Sequence, residues 1–154
     1  ATEMSKQGRV VKRTQSEAER RAEAERRIAE AKEARAASDR ARQDKALLAS
    51  YTSVEEIDLA RERALDHHRL AIESAETRAR EVGNTLAELN VRKKRIEKSG
   101  RPVPAPVVAQ LRQSTLELDE LKREIRAQEE TMLKVRDKYA QDRVRFRELS
   151  TGLE

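Results

Sequence analysis

The sequence predicts an all-α protein, an elongated antiparallel coiled-coil hairpin preceded by a charged, partly solvated helix. Charged residues make up 41% of the chain and aromatic residues only 2%, so a compact globular core is not expected. High charge with low hydrophobicity also favours disorder, but four glycines and three prolines are few, and strong helix formers are abundant. Two long stretches repeat their apolar residues at alternating spacings of three and four, which is typical of a coiled-coil seam.

The chain is predicted to begin with an extended or disordered leader over residues 1–15, which lack a helical pattern. Ser16 begins a capping-box sequence, and a charged Ala/Glu/Arg helix is predicted over residues 16–50. Acidic and basic residues four apart in this segment stabilise a helix by ~0.2–0.5 kcal/mol per pair. Ile28 is the only large aliphatic residue of the segment before Leu47. We therefore expect a solvated helix that packs only through its last turns.

A helix break is predicted near Tyr51–Ser53, in the stretch "YTSVEEID". Ser53 and Glu56 form a second capping box, and the acidic residues that follow stand in a first helical turn, where the helix dipole favours negative charge. A continuous helix through this point is the alternative.

Residues 53–151 are predicted to form the hairpin, with a helix over 53–99, a Pro-rich turn over 100–106 and a helix over 106–151. Gly100 suits a helix C-terminus, and three prolines within five residues cannot continue a helix. The first predicted seam comprises Leu65, His68, Ile72, Ala75, Ala79, Val82, Leu86, Leu89, Lys93 and Ile96. The second comprises Leu111, Ser114, Leu118, Leu121, Ile125, Gln128, Met132, Val135, Tyr139, Asp142, Phe146 and Leu149.

The register of the hairpin is predicted from the centre of its turn. A turn centred after Val103 sets His68 opposite Tyr139, where the two side chains are expected to form a hydrogen bond. A slip of half a heptad sets Arg61 opposite Asp142 and stays open as an alternative, because a seam keeps its apolar face under such a slip.

The open end of the hairpin carries more large apolar residues than two helices can cover. We expect the end of the leading helix to pack there and to close a small core, which we call the open-end cluster. The open-end cluster comprises Leu47, Leu48, Tyr51, Val54, Ile57, Phe146 and Leu149.

The turn end of the hairpin is strongly basic, because residues 92–101 hold six cations and one acid, an excess equal to the net charge of +5. We call these six cations the basic tip: Arg92, Lys93, Lys94, Arg95, Lys98 and Arg101. Arg112, near the start of the next helix, is expected beside them. Such a tip attracts phosphate-rich partners, although no aromatic residue stands near it to stack on bases. The alternative is that cations at a helix C-terminus complement the dipole and keep the rod soluble.

Catalytic, metal and membrane-spanning functions find little support in the sequence. The chain has no cysteine, so disulfides, Cys-zinc sites and thiol nucleophiles are excluded. His67 and His68 are adjacent and point about 100° apart on a helix, so they cannot form the i, i+4 pair of helical metal sites. Carboxylates stand on solvated faces without a pocket to shift their pKa values. We expect no enzyme, no cofactor and no metal, and no apolar run approaches the ~20 residues that a membrane helix needs.

Two stretches carry a resemblance to a known family: "TEMSKQGRVVKR" (residues 2–13) and "DKALLASYTSVEEIDLARERAL" (residues 44–65). They resemble exported proteobacterial proteins of unknown function, in which a small N-terminal cysteine-bearing β module is followed by a charged coiled coil. Only the coiled-coil part of that arrangement is present in this sequence. The resemblance implies a periplasmic or cell-envelope location and no activity; without it, a cytoplasmic location would be expected.

These observations together predict a non-enzymatic structural or adaptor coiled-coil protein of the bacterial cell envelope. Its expected partners are another protein or a second copy of the chain. The alternative is a nucleic-acid- or polyanion-binding hairpin that acts through the basic tip, with an anionic surface or polymer favoured over nucleic acid.

Overall fold

The computed structural model describes the backbone of residues 2–152 and the side chains of residues 16–152. It contains three helices, α1 (Thr2–Ser50), α2 (Val54–Lys98) and α3 (Ala105–Thr151), and no strand occurs in the described backbone. The chain divides into two compact units, one formed by α1 and one that begins at Tyr51 and contains α2 and α3. The prediction of an all-α fold is therefore confirmed.

Helix α1 begins much earlier than the sequence predicted. It starts at Thr2, so the extended leader over residues 1–15 is wrong for residues 2–15, and Ser16 lies inside the helix instead of capping it. The physical reason is composition, because Lys, Arg, Gln, Glu and Met in this stretch are good helix formers. Gly8 costs only about 1 kcal/mol relative to alanine. A helix without an apolar stripe has no periodic pattern by which its start can be predicted.

The charged part of α1 is solvated on every face, as predicted. Every side chain from residue 17 to residue 43 is exposed, Ile28 included. Ion pairs join Arg27 to Glu23 at 3.3 Å and Arg42 to Asp39 at 2.6 Å. This part of the helix is therefore held by backbone hydrogen bonds, helix propensity and local charge pairs, without a buried face.

The predicted break at Tyr51–Ser53 is confirmed, and a continuous helix is excluded. The hydroxyl of Ser53 accepts the backbone N–H of Glu56 at 3.3 Å, which is half of the predicted capping box. The carboxylate of Glu56 turns to Thr52 instead of Ser53, accepting its backbone N–H at 2.8 Å and its hydroxyl at 2.7 Å. These hydrogen bonds, the backbone one foremost, lower the pKa of Glu56.

The turn between α2 and α3 is built as the sequence predicted, and both helix bounds agree with the prediction to within one residue at each end. Gly100 has a φ of 76°, the left-handed conformation that glycine adopts without steric cost. Pro106 stands in the first turn of α3, where a missing N–H leaves no intrahelical bond unmade.

Helices α2 and α3 pack along the predicted seams. Every predicted seam residue in both helices is buried or half-buried. The most buried residues of the unit are Ile57, Leu65, Ala75, Val82 and Leu89 on α2, and Val107, Met132 and Phe146 on α3. The hairpin therefore has a narrow apolar core, one layer of side chains wide.

The register of the hairpin differs from the predicted one. The Nδ1 of His68 donates to the amide oxygen of Gln128 at 2.6 Å, and Arg78 Nη2 lies 2.8 Å from the Glu117 carboxylate. The expected partner of His68 was Tyr139, eleven residues further along α3. The Asp58–Arg143 pair departs from the predicted register by six residues, so the shift read from side-chain pairs lies between about two and three helical turns. The spacing of the seams could not distinguish the two registers.

The half-heptad alternative is wrong as well. Arg61 does not reach Asp142; its guanidinium lies 3.3 Å from the carboxylates of Asp58 and Glu62 on its own helix. Asp58 also faces Arg143 of α3, with 3.3 Å between Oδ1 and Nε in an ion pair that lacks the alignment of a hydrogen bond. Arg61 is therefore held by carboxylates of its own helix in place of the predicted pairing with Asp142.

Candidate functional site

The basic tip occupies the last two turns of α2 and the residue after Gly100. Lys93 is half-buried, and its Nζ lies 3.9 Å from the carboxylate of Glu97. The other five are exposed, and we call them the exposed tip cations: Arg92, Lys94, Arg95, Lys98 and Arg101.

The exposed tip cations have no charged partner. Within residues 16–152, none of the five forms an ion pair or donates a side-chain hydrogen bond. Residues 92–101 contain six cations and a single acid, Glu97, which pairs with Lys93. The end of the hairpin therefore carries a positive potential.

The backbone of the turn already caps the C-terminus of α2. The N–H of Ser99 donates to the carbonyls of Arg95 and Ile96 at 3.2 and 3.1 Å. The N–H of Gly100 donates to the carbonyl of Glu97 at 3.1 Å, and the Ser99 hydroxyl donates to Ile96 at 2.6 Å. Three of the last four carbonyls of α2 are therefore satisfied without the tip cations, whose structural role is limited to the general attraction to the helix dipole.

Arg112 does not belong to the tip, contrary to the prediction. It lies two turns into α3, where it lines an open cleft together with Arg78, Glu117 and Glu120. The observed register explains this, because α3 begins alongside α2 and not beyond its end.

The Pro-rich turn presents an exposed apolar surface next to the tip. Pro102, Pro104 and Pro106 are exposed, and Val108 at the start of α3 is 44% exposed. Val107 alone in this stretch is buried, at 3% exposure, and anchors the turn to the seam. The tip end thus combines unpaired cations with uncharged, apolar groups.

A polar cleft of about 310 Å³ lies between α2 and α3 and was not predicted. It is lined by both polar and apolar side chains, with Arg78, Glu81 and Glu117 at its rim. Arg78 pairs with Glu117 at 2.8 Å and with Glu81 at 3.3 Å, and the hydrogen bond to Glu117 raises the pKa of its guanidinium above the ordinary value. Both carboxylates of the cleft therefore pair with the same guanidinium, which leaves a net charge of −1 but no carboxylate without a partner.

The two histidines differ in burial, because His68 is half-buried in the seam and His67 is exposed. His68 is held by Gln128, and the ring centroids of His67 and His68 lie 3.8 Å apart. Across the part of the chain whose side chains are described, no three His, Cys, Asp or Glu residues come close enough to hold a metal ion.

The open-end cluster is formed in part. Ile57 and Phe146 are buried, and Tyr51, Val54 and Leu149 are half-buried.

Tyr51 stands beside α3. Burial raises the pKa of its hydroxyl above the ordinary value of 10, and the neighbouring Tyr139 and Asp142 raise it further.

The other two members of the open-end cluster, Leu47 and Leu48, belong to α1. Leu47 is half-buried, but Leu48, expected to be covered, is 39% exposed. Packing of the two leucines on the hairpin stays a prediction.

One apolar stripe lies on the outer side of α3 and was not singled out from the sequence. Leu133, Ala140 and Val144 are spaced by seven and four residues, which places them on one helical face. All three are exposed, Leu133 at 63% and Val144 at 59%. We call these three residues the outer stripe; their apolar character and regular spacing could have been found in the sequence.

Comparisons with known proteins give no family for this chain. No family model, no curated protein and no solved structure matches it. In the portion that the structure describes, none of the three helices has an apolar stretch long enough to cross a bilayer.

Proposed function

We propose that the chain is a non-enzymatic structural or adaptor protein whose hairpin is a rod that docks a helical protein partner, either another protein or a second copy of the chain. The observation that carries the proposal is the outer stripe. Its residues take no part in the seam between α2 and α3, and their spacing is the one at which a partner helix packs. We place the protein in the bacterial cell envelope, and this location rests on the resemblance of residues 2–13 and 44–65 alone.

The test replaces Leu133 and Val144 together by serine in the full chain. Leu70→Ser is the control, because Leu70 is 65% exposed and lies on α2, outside the stripe. Sedimentation equilibrium over a range of concentrations, followed by site-specific photo-crosslinking at Leu133 in bacterial cells, separates the two kinds of partner.

A concentration-dependent dimer that the double variant abolishes and the control retains identifies a second copy as the partner. A monomer that gives one discrete crosslinked product, lost in a Val144→Ser background, identifies another protein. A chain that stays monomeric and gives no discrete product in cells contradicts the proposal.

As a second function we propose polyanion binding at the basic tip. The observation in its favour is that the exposed tip cations have no partner among the side chains of residues 16–152, although three of the last four carbonyls of α2 are already capped. Nucleic acid is the less favoured polyanion, because the chain's two tyrosines and one phenylalanine lie far along the sequence from the tip.

Polyanion binding is tested by titrating the full chain with labelled polyphosphate and following fluorescence anisotropy at several salt concentrations. The tip variant carries Lys94→Gln, Arg95→Gln and Lys98→Gln. The matched control carries Lys122→Gln, Arg123→Gln and Lys134→Gln, three exposed cations of α3.

The tip variant should bind more weakly. The slope of log K against log salt is negative, and it should become less negative by about one for each cation removed, as expected for counterion release. The control should bind as the unmodified chain does. Equal losses in the two variants would show that net charge alone attracts the polyanion and would contradict a site at the tip.

A further inference from the structure

We infer that the basic tip and the exposed apolar groups of the Pro-rich turn together form a docking site for an anionic lipid surface, in which the cations contact headgroup phosphates and the turn enters the interface. This inference rests on the polyanion-binding function proposed above. It names the partner as a membrane surface and assigns a role to the apolar turn, which polyanion binding alone leaves unexplained.

The tip cations are arranged to face a surface. At 100° per residue, Arg92, Lys94, Arg95 and Lys98 fall within an arc of about 160° around α2, and the centre of this arc lies about 120° from the seam residue Ile96. All four are exposed. A cationic half-cylinder at the end of a rod can bring several charges close to one plane of phosphates at the same time.

The turn carries few backbone N–H groups, because alternate residues from Pro102 to Pro106 are prolines. Pro102, Pro104 and Pro106 have no N–H group, so no donor must be stripped of water at these positions. The N–H groups of Val107 and Val108 both donate to the carbonyl of Pro104, at 3.0 and 3.3 Å. The N–H groups of Arg101, Val103 and Ala105 have no acceptor in the described chain, so the turn suits the hydrated headgroup layer, where only its apolar side chains need to leave water.

A lipid surface matches this composition better than a nucleic acid does. Non-specific binding of single strands relies on aromatic side chains that stack on bases, and all three aromatic residues, Tyr51, Tyr139 and Phe146, lie outside residues 89–116. Duplex binding would engage the cations but would leave Val108 and the prolines without a role. Apolar groups flanked by Lys and Arg are characteristic of proteins that bind at membrane interfaces.

The experiment is co-sedimentation of the full chain with vesicles of phosphatidylcholine, with and without 30% phosphatidylglycerol, at three salt concentrations. Binding should require the anionic lipid and weaken as salt rises. The tip variant (Lys94→Gln, Arg95→Gln, Lys98→Gln) should lose about a hundredfold in partition coefficient, at about fivefold per cation. The control triple variant on α3 should bind as the unmodified chain does.

A second pair of variants tests the apolar contribution separately. Val108→Ser should weaken vesicle binding by about tenfold, because burial of the valine side chain at the interface is lost. It should leave polyphosphate binding unchanged. Val144→Ser, which alters a similarly exposed valine on the outer stripe, should change neither measurement. Tyrosine fluorescence melting of each variant reports whether the hairpin is intact.

The outcomes distinguish this inference from the function on which it rests. Tip-dependent binding to polyphosphate without binding to anionic vesicles overturns the lipid inference and leaves the polyanion function standing. A chain that binds neither polyphosphate nor anionic vesicles contradicts both the lipid inference and the polyanion function. Vesicle binding that Val108→Ser does not weaken, or tighter binding to a DNA duplex than to vesicles, also overturns the lipid inference.

Discussion

Replacing Leu65 by alanine tests the seam most simply, because the same helix offers a matched control. Leu65 is 1% exposed, whereas Leu70 is 65% exposed. Leu65→Ala removes three buried carbon atoms at ~0.8 kcal/mol each and leaves part of their volume empty, so it should cost about 3 kcal/mol of unfolding free energy. Leu70→Ala removes the same atoms from a solvated position and should change stability by less than about 0.5 kcal/mol.

The assay is urea unfolding followed by tyrosine fluorescence. Both tyrosines, Tyr51 and Tyr139, lie in the unit formed by α2 and α3, so their fluorescence reports on this unit, whereas α1 contributes strongly to a helicity measurement. With a slope of about 1.5 kcal/mol per molar urea, a loss of 3 kcal/mol lowers the midpoint by about 2 M. Equal midpoints for the two variants, or a larger loss for Leu70→Ala, would refute the assignment of Leu65 to the core.

Three further predictions concern two glycines, the carboxylate of Glu56 and the hydrogen bond between His68 and Gln128. Gly83→Ala should stabilise the unit of α2 and α3 by about 0.5–1 kcal/mol in thermal unfolding, because Gly83 is helical and nothing lies within 4 Å of an added Cβ. Gly100→Ala should destabilise the same unit by about 1–2 kcal/mol, because Gly100 has a φ of 76°. Glu56 should titrate below its ordinary pKa of 4.5 in carboxyl NMR. Because the folded pKa is the lower one, its stabilisation is complete above the unfolded value and is lost as pH falls through the folded value; an unshifted midpoint, or the same acid sensitivity in Glu56→Gln, would contradict this. Gln128→Leu alone should lower the urea midpoint by leaving His68 unpaired, and the added change His68→Leu should restore it.

The sequence predicted the fold and the seams because both depend on local patterns. Spacings of three and four identify which side chains share a helical face, and every residue assigned to a seam is buried or half-buried. Capping residues and prolines identified the breaks, since Ser53 caps α2 and Gly100 provides the left-handed turn. These signals act within a few residues and need no knowledge of the partner helix.

The register, the start of α1 and the place of Arg112 could not be predicted for a common reason. Each depends on interactions between residues distant in sequence, or on a helix without an apolar face. A seam of regular period is nearly unchanged by a slip of three turns, so only specific side-chain pairs select the register, such as His68 with Gln128. In the observed register, Arg112 lies in the cleft beside Arg78 and not at the end of the hairpin.

The measurement that tests the account most directly is cysteine crosslinking across the hairpin. The chain has no native cysteine, so a pair introduced by His68→Cys and Gln128→Cys reports without background. Mild oxidation should give a disulfide within one chain, seen as a monomer with altered mobility on a non-reducing gel. The pair His68→Cys with Tyr139→Cys should stay reduced. Disulfides between chains, or faster oxidation of the second pair, would contradict the hairpin register on which the position of the basic tip depends.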